Sequence, residues 1–162
     1  MNKTPFQPFS KPMPSRELQL NNDLFFAEVI RLLDDGTTVT LRACGNSMFP
    51  FIVDGRDCVE LNRCRQVAVG DIVLVHLPDR GFVLHRIYAV DGERLLLMGD
   101  GNLRATEQCR RDDVLARAVR IIRNGRRVSC SSWGERCRAS LWRHLLPLRR
   151  GLLFVCRRMM RR

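Results

Sequence analysis

The 162-residue chain is long enough for one domain with its own core, and its 45% hydrophobic and 28% charged residues are typical of a globular protein. No run approaches the roughly 18 consecutive apolar residues of a membrane-spanning helix, and the N-terminus has no apolar segment of a secretory signal. The net charge of +11 belongs to residues 121–162, which contain 12 arginines and one acidic residue, Glu135. The basic excess is therefore a property of the tail.

The seven cysteines contain no C-x-x-C pair, and their number is odd. A structural zinc site or a disulfide framework usually has closer, paired spacing. We therefore predict reduced thiols, which are typical of a cytoplasmic protein, and neither a metal site nor another cofactor.

The chain opens with a Pro-rich segment, and residues 1–20 are expected to form a disordered or extended leader. The next segment, "NDLFFAEVIRLLDDG", has apolar residues at helical spacing. Asn22 or Asp23 is a candidate N-cap, and Gly36 lies beyond the end. One helix is predicted here.

After Gly36 the pattern changes to short β-branched and apolar runs. They predict strands in "TTVTLRA", "DCVEL", "DIVLVHL", "GFVLHRIYAV", "RLLLMG" and "DDVLARAVRII". The "PDRG" and "DG" sequences predict tight turns at 78–81 and 91–92. Residues 21–125 are therefore expected to be a mainly β domain with one N-terminal helix.

The remaining residues, 126–162, are expected to form a basic linker and an amphipathic helix over 139–162, with a kink at Pro147. Its apolar stripe comprises Leu141, Leu145, Leu148, Leu152, Val155 and Met159, and arginines lie opposite. Such a helix suits peripheral contact with an anionic membrane, although the stripe also suits packing on the protein's own core. Nucleic acid is a weaker fit, since aromatic residues are only 7% of the chain.

The octapeptide "CGNSMFPF", residues 44–51, interrupts the β pattern with a serine between Gly45 and Pro50. Gly, Asn, Ser and Pro are common in turns, but an exposed serine on a constrained turn also suits a nucleophile. Such a serine needs a base. Of the three histidines, His144 lies in the basic tail and is the weakest candidate, while His76 and His85 lie on the strands either side of the turn at 78–81. Each of these two is most simply explained as a half-buried strand residue. His85 shares a strand face with Val83 and Ile87, whose apolar side chains disfavour a charged ring.

Four segments occur in the order of the sequence boxes of a known superfamily: "GNSMFPFIVDGRD", "VAVGDIVLV", "GFVLHRIYAV" and "LLLMGDGN". They resemble the Gly-x-Ser-Met-x-Pro, Gly-Asp-Ile/Val, general-base and Gly-Asp-Asn boxes of signal peptidase I and LexA-like serine peptidases. The resemblance covers residues 37–122 and implies a signal-peptidase/LexA-like β fold.

Signal peptidases of the bacterial type and LexA-like proteins use a lysine as the base, but this chain has no lysine after Lys11. It resembles the endoplasmic-reticulum signal peptidases, which carry a histidine on that strand. The resemblance implies that Ser47 is the nucleophile, His85 the general base and Asp100 the acidic partner, with Glu107 or Asp112 as alternative acids.

The resemblance further implies an oxyanion site at the backbone N–H of Ser47, helped by Asn46, and a substrate cleft lined by Met48 and Pro50. Asp71 is expected to fix a turn. The expected activity is that of a serine endopeptidase that cleaves leader or signal-like peptides. The alternative is a catalytically silent β domain that its Arg-rich tail delivers to an anionic membrane or to nucleic acid.

Overall fold

The computed structural model describes residues 15–104 and 107–160, which form an antiparallel sheet with one helix before it and two after it. The helices are α1 Ser15–Asp34, α2 Trp133–His144 and α3 Arg149–Met160. The strands are β1 Val39–Arg42, β2 Asp57–Asn62, β3 Ile72–Leu77, β4 Gly81–Asp91, β5 Arg94–Met98, β6 Glu107–Arg110, β7 Val114–Arg123 and β8 Arg126–Ser129. The predicted mainly β class with helices at both ends is confirmed.

The strands lie in the order β1-β2-β7-β3-β4-β5-β6, and β8 pairs with β7. All of these pairs are antiparallel. Both predicted tight turns are present, because β3 is followed directly by β4 and β4 by β5. Within residues 15–104 and 107–160, no helix is both long and apolar enough to cross a membrane.

Two short strands were missed by the sequence analysis, β6 and β8. β8 follows a two-residue turn in which Asn124 and Gly125 have positive φ angles of 48° and 75°. Asn-Gly is the preferred sequence for such a hairpin turn, because both residues tolerate positive φ. The sheet therefore extends to Ser129, beyond the predicted boundary at residue 125.

Helix α1 begins at Ser15, seven residues before the first predicted N-cap. Residues 15–20 are therefore helical and do not belong to an extended leader, while the prediction for residues 1–14 lies outside the described residues. Val29 and Leu33 project from α1 into the main core, where they join apolar side chains of the sheet. The apolar residues at helical spacing thus pack only in part, because Leu24 and Phe25 of the same segment are exposed.

A second apolar cluster lies on the other face of β4. Phe82 and Leu84 face the main core, whereas Val83 and Ile87 pack in the second cluster with residues of β3 and β5. Because successive strand residues point to opposite faces, His85 lies on the side of Val83 and Ile87. This is the orientation that the sequence predicted for His85.

The tail is two helices rather than one. Ser132 caps the start of α2 by accepting a hydrogen bond from the Glu135 N–H, and a 3-10 turn at Leu146–Leu148, which contains Pro147, separates α2 from α3. Proline has no N–H to donate and its ring clashes with the preceding turn, so the break falls where the kink was expected. The end of the predicted helix, 161–162, lies outside the described residues.

Of the six residues of the predicted apolar stripe, Leu152 packs on the domain but four do not. Leu141, Leu148, Val155 and Met159 are all more than half exposed. The tail instead packs through Trp142 and Leu153, which form a third apolar cluster with Phe49 and Phe51. The tail helices therefore lie against the turn that contains Ser47.

Candidate active site

Ser47 lies on a compact turn held from both sides. Gly45 has a φ of 83°, and the Phe49 N–H donates to the Asn46 carbonyl at 3.2 Å. Met48 and Phe49 are buried, whereas Ser47 between them and the glycine is half-buried. Because its neighbours are fixed in apolar clusters, the turn presents Ser47 from a rigid support.

The structure corrects one prediction about this turn, the role of Met48. Met48 was expected to line a substrate cleft, but it is buried in the main core with residues of α1 and β2, so that prediction is wrong. Pro50 is half-buried and follows a cis peptide bond from Phe49. Asn46 is exposed beside Ser47.

The "GDGN" segment packs backbone to backbone against the Ser47 turn. The Gly101 N–H donates to the Ser47 carbonyl at 2.7 Å. A Cβ at Gly99 would overlap that same carbonyl oxygen, and a Cβ at Gly101 would lie 2.6 Å from the Asn46 oxygen. Both glycines are therefore required by close approach of the two segments, which explains the spacing of the sequence box.

His85 lies next to this contact. Its strand neighbour Arg86 pairs with Met98, so Gly99 lies one position further along, level with His85. The Ser47 backbone touches Gly99 and therefore lies beside the histidine. No hydrogen bond joins the Ser47 hydroxyl to His85 among the described residues. Such bonds are often long in enzymes without substrate.

Glu107 is the carboxylate that contacts His85. Its Oε2 lies 2.9 Å from His85 Nδ1, and the two side chains are only 8% and 5% exposed. The partner is set by β6, because Glu107 pairs with Leu97 and thereby lies diagonally across β5 from His85. The Arg80 guanidinium donates to the other oxygen, Oε1, at 2.9 Å.

Asp100, the first choice of acid from the sequence, does not contact His85. Its carboxylate accepts from Arg86 Nε at 2.9 Å and Nη2 at 2.7 Å, and Arg86 also donates to the Gly70 carbonyl. Burial acts to lower the pKa of Arg86, but the charge and hydrogen bonds of Asp100 outweigh it and raise that pKa. The Asp100 carboxylate therefore forms a buried ion pair with Arg86. Its predicted role as the partner of His85 is wrong.

The other candidate residues are separated from this site. Asp112, an alternative acid, is exposed in a single 3-10 turn between β6 and β7. Asp71 accepts from the Ala68 N–H at 3.0 Å, as expected of a residue that fixes a turn. His76 is exposed beside the Phe82 ring, and His144 is exposed at the end of α2.

Two tail residues that no sequence pattern singled out support the segment behind Ser47. Trp142 Nε1 donates to the Asp100 carbonyl at 2.9 Å, and Arg149 Nη1 donates to the Asn102 carbonyl at 3.0 Å. The Arg157 guanidinium lies over the Phe49 ring. The tail is thus part of the scaffold of the candidate site.

The backbone N–H of Ser47 is a hydrogen-bond donor without an acceptor in the described part of the chain. No carbonyl or side chain of residues 15–104 and 107–160 accepts a hydrogen bond from the Ser47 N–H. A donor of this kind beside a nucleophile can stabilise an oxyanion.

No family model and no curated protein matches this chain, so the resemblance to serine peptidases rests on the sequence boxes alone.

Proposed function

We propose that this protein is a serine endopeptidase that cleaves leader or signal-like peptides through an acyl-enzyme intermediate. The observation that carries the proposal is the buried contact between His85 Nδ1 and Glu107 Oε2, beside the backbone of Ser47. A base oriented by an acid, next to a serine on a rigid turn, is the arrangement that activates a serine nucleophile. The peptide substrate class is implied by the resemblance of the sequence boxes.

In the proposed reaction, Glu107 accepts a hydrogen bond from the Nδ1–H of His85, so that the proton stays on Nδ1 and Nε2, which faces away from the acid, is free to accept one. Nε2 takes the proton of the Ser47 hydroxyl as the oxygen attacks the scissile carbonyl. The Ser47 N–H donates to the oxygen that becomes negative. His85 then returns the proton to the leaving amine, and a water molecule activated by the same histidine hydrolyses the ester.

Replacement of the nucleophile tests the proposal directly. Purified protein is incubated with a library of leader-like peptides and, separately, with a fluorophosphonate that modifies activated serines, and products are read by mass spectrometry. Ser47→Ala should lose cleavage and labelling by several orders of magnitude with unchanged folding. Ser140→Ala, an exposed serine on α2, is the control and should behave as wild type. Wild-type cleavage by Ser47→Ala would contradict the assignment.

The two strand histidines provide a second matched pair. His85→Ala should abolish labelling, whereas His76→Ala should retain most of it because that ring is exposed and lacks an acidic partner in the described residues. Loss in His76→Ala with retention in His85→Ala would move the base to β3.

We propose that the exposed side of α3 attaches the protein to a membrane. Phe154, Val155 and Met159 line a shallow surface groove with Arg158, and all four are exposed. Apolar side chains among arginines suit the interface of an anionic bilayer. We expect a cytoplasmic protein in peripheral contact with the membrane, and the same surface serves the second candidate function, a silent β domain targeted by its tail.

Vesicle binding by the full chain tests this partner. Binding to vesicles with anionic lipid should exceed binding to neutral vesicles and should weaken as salt screens the arginines. Phe154→Ser should reduce it, whereas Phe25→Ser, an exposed phenylalanine on α1, should not. Equal binding to neutral and anionic vesicles, or binding to RNA but not to lipid, would reject the membrane.

A further inference from the structure

A cavity of about 640 Å³ lies between the sheet and the tail. One wall is formed by β3 and β4, and α2 forms the other. Its volume is in the range of small-molecule sites, which is about 300–1,000 Å³. Neither Ser47 nor His85 lines it. The cavity is therefore separate from the candidate active site.

The carboxylates that line this cavity are already paired with arginines. Their oxygens form three ion pairs: Asp100 with Arg86 at 2.7 Å, Glu135 with Arg138 at 2.9 Å, and Asp71 with Arg117 at 3.6 Å. Each carboxylate of the wall therefore already has an arginine partner.

Arg149, at the start of α3, also lines the cavity. It is a buried cation that has no carboxylate partner in an ion pair within the described residues. It is 2% exposed, and its guanidinium donates to the Asn102 and Trp142 carbonyls and to Met98 Sδ. In the described part of the chain it forms no ion pair, and its Nε has no hydrogen-bond acceptor. Burial lowers the pKa of Arg149, and the nearby charge of Asp100 offsets only part of this effect.

Two further arginines on the wall add positive charge. Arg136 and Arg143 line the cavity and form no ion pair within the described residues; Arg143 donates only to the Tyr88 carbonyl. An uncompensated buried charge costs free energy, and a negative group in the cavity would remove part of that cost. The aromatic rings of Trp142 and Tyr88 supply the apolar part of the wall.

From this imbalance we infer that the cavity binds a small organic anion, in which a carboxylate or phosphate is attached to an apolar or aromatic body. The anionic group pairs with Arg149 and Arg143. The body packs against the aromatic wall, where apolar surface is removed from water. The inference does not require the proposed peptidase activity, because neither Ser47 nor His85 lines the cavity.

The chain contains its own reporter for this cavity. Its two tryptophans, Trp133 and Trp142, both line the wall, so intrinsic fluorescence responds to a bound ligand. The full-length protein is titrated with benzoate and phenyl phosphate, and with neutral benzamide as the matched control, at constant ionic strength. We expect a saturable change with at least one anion and none with benzamide. The comparison of the two anions distinguishes carboxylate from phosphate.

Three variants locate the site. Arg149→Gln and Arg143→Gln should each weaken binding at least tenfold, whereas Arg150→Gln, an exposed neighbour outside the cavity, should bind as wild type. Ser47→Ala should also bind as wild type, whether or not the peptidase proposal holds. If Arg149→Gln does not fold, Arg143→Gln decides. A response that does not saturate, that benzamide reproduces, or that Arg143→Gln leaves unchanged would overturn the inference.

Discussion

Replacement of Glu107 by glutamine is the most informative perturbation of the candidate active site. The carboxylate has two oxygens and two partners: Oε1 accepts from Arg80 and Oε2 faces His85 Nδ1, each at 2.9 Å. Glutamine keeps the shape but offers one oxygen and one NH2 group. The amide must therefore choose which partner receives its oxygen.

Arg80 decides that choice, because a guanidinium can only donate. The amide oxygen turns toward Arg80, and the NH2 group then donates to His85 Nδ1. This arrangement moves the ring proton to Nε2, the nitrogen that must accept the serine proton. Glu107→Gln should therefore hold His85 in the wrong tautomer, a replacement that lowers kcat about 10⁴-fold in a Ser-His-Asp triad.

The double variant should show the opposite effect. A hydrogen bond from a charged group contributes about 1.5–3 kcal/mol, and the 57% exposure of Arg80 reduces this to about 1–2 kcal/mol here. Removing that bias by Arg80→Ala frees the amide to turn its oxygen toward His85. Arg80→Ala in the Glu107→Gln background should therefore restore activity by about 5- to 30-fold.

The assay is the rate of fluorophosphonate labelling of Ser47, or kcat/KM once a cleavable peptide has been found. Asp100→Asn is the control acid, since its carboxylate serves Arg86 on the other face of β4. Its effect should be mainly on the melting temperature. Near wild-type labelling in Glu107→Gln with a large loss in Asp100→Asn would refute the pairing. No recovery in the double variant would refute the tautomer argument.

Two other predictions test the scaffold and its thiols. Gly99→Ala should lower the free energy of unfolding by about 1–3 kcal/mol and reduce labelling of Ser47, since the new Cβ overlaps the Ser47 carbonyl. Its control is Gly151→Ala on α3, where a Cβ meets open space. That variant should raise the free energy of unfolding by about 0.5–1 kcal/mol in thermal melts. Burial raises the pKa of Cys130 to about 11, so its alkylation by iodoacetamide at pH 8 should be far slower than that of exposed Cys137 and should rise about tenfold per pH unit up to about 11. Equal rates for the two thiols at pH 8 would contradict the second prediction.

The sequence was sufficient for the parts of the site that depend on local pattern. Alternation along β4 predicted that His85 shares a face with Val83 and Ile87, and the turn residues around Ser47 predicted a break in the sheet pattern. Both depend on neighbours in the chain. The spacing of these residues carries the information without knowledge of the fold.

The choice of acid depended on register, which the sequence does not contain. Asp100 was favoured because it lies in a sequence box, but Met98 pairs with Arg86, so Asp100 falls on the face of Arg86. Glu107 reaches His85 only because β6, a four-residue strand that was not predicted, pairs with β5. The contact between His85 and Glu107 depends on two registers, that of β4 with β5 and that of β5 with β6. A short polar strand such as β6 has too little pattern for its register to be predicted from the sequence.

The tail shows the same limit at a larger scale. Helical spacing predicted an apolar stripe correctly as a pattern, but which face packs is decided by what the sheet offers. Phe49 and Phe51 beside Ser47 provide an apolar surface, and Trp142 and Leu153 cover it. Once the tail is fixed there, its polar groups reach the loop carbonyls, and four of the six stripe residues remain exposed, whereas Leu152 packs against the cluster. The tail thus both supports the Ser47 turn and leaves exposed the apolar side chains on which the proposed membrane contact depends.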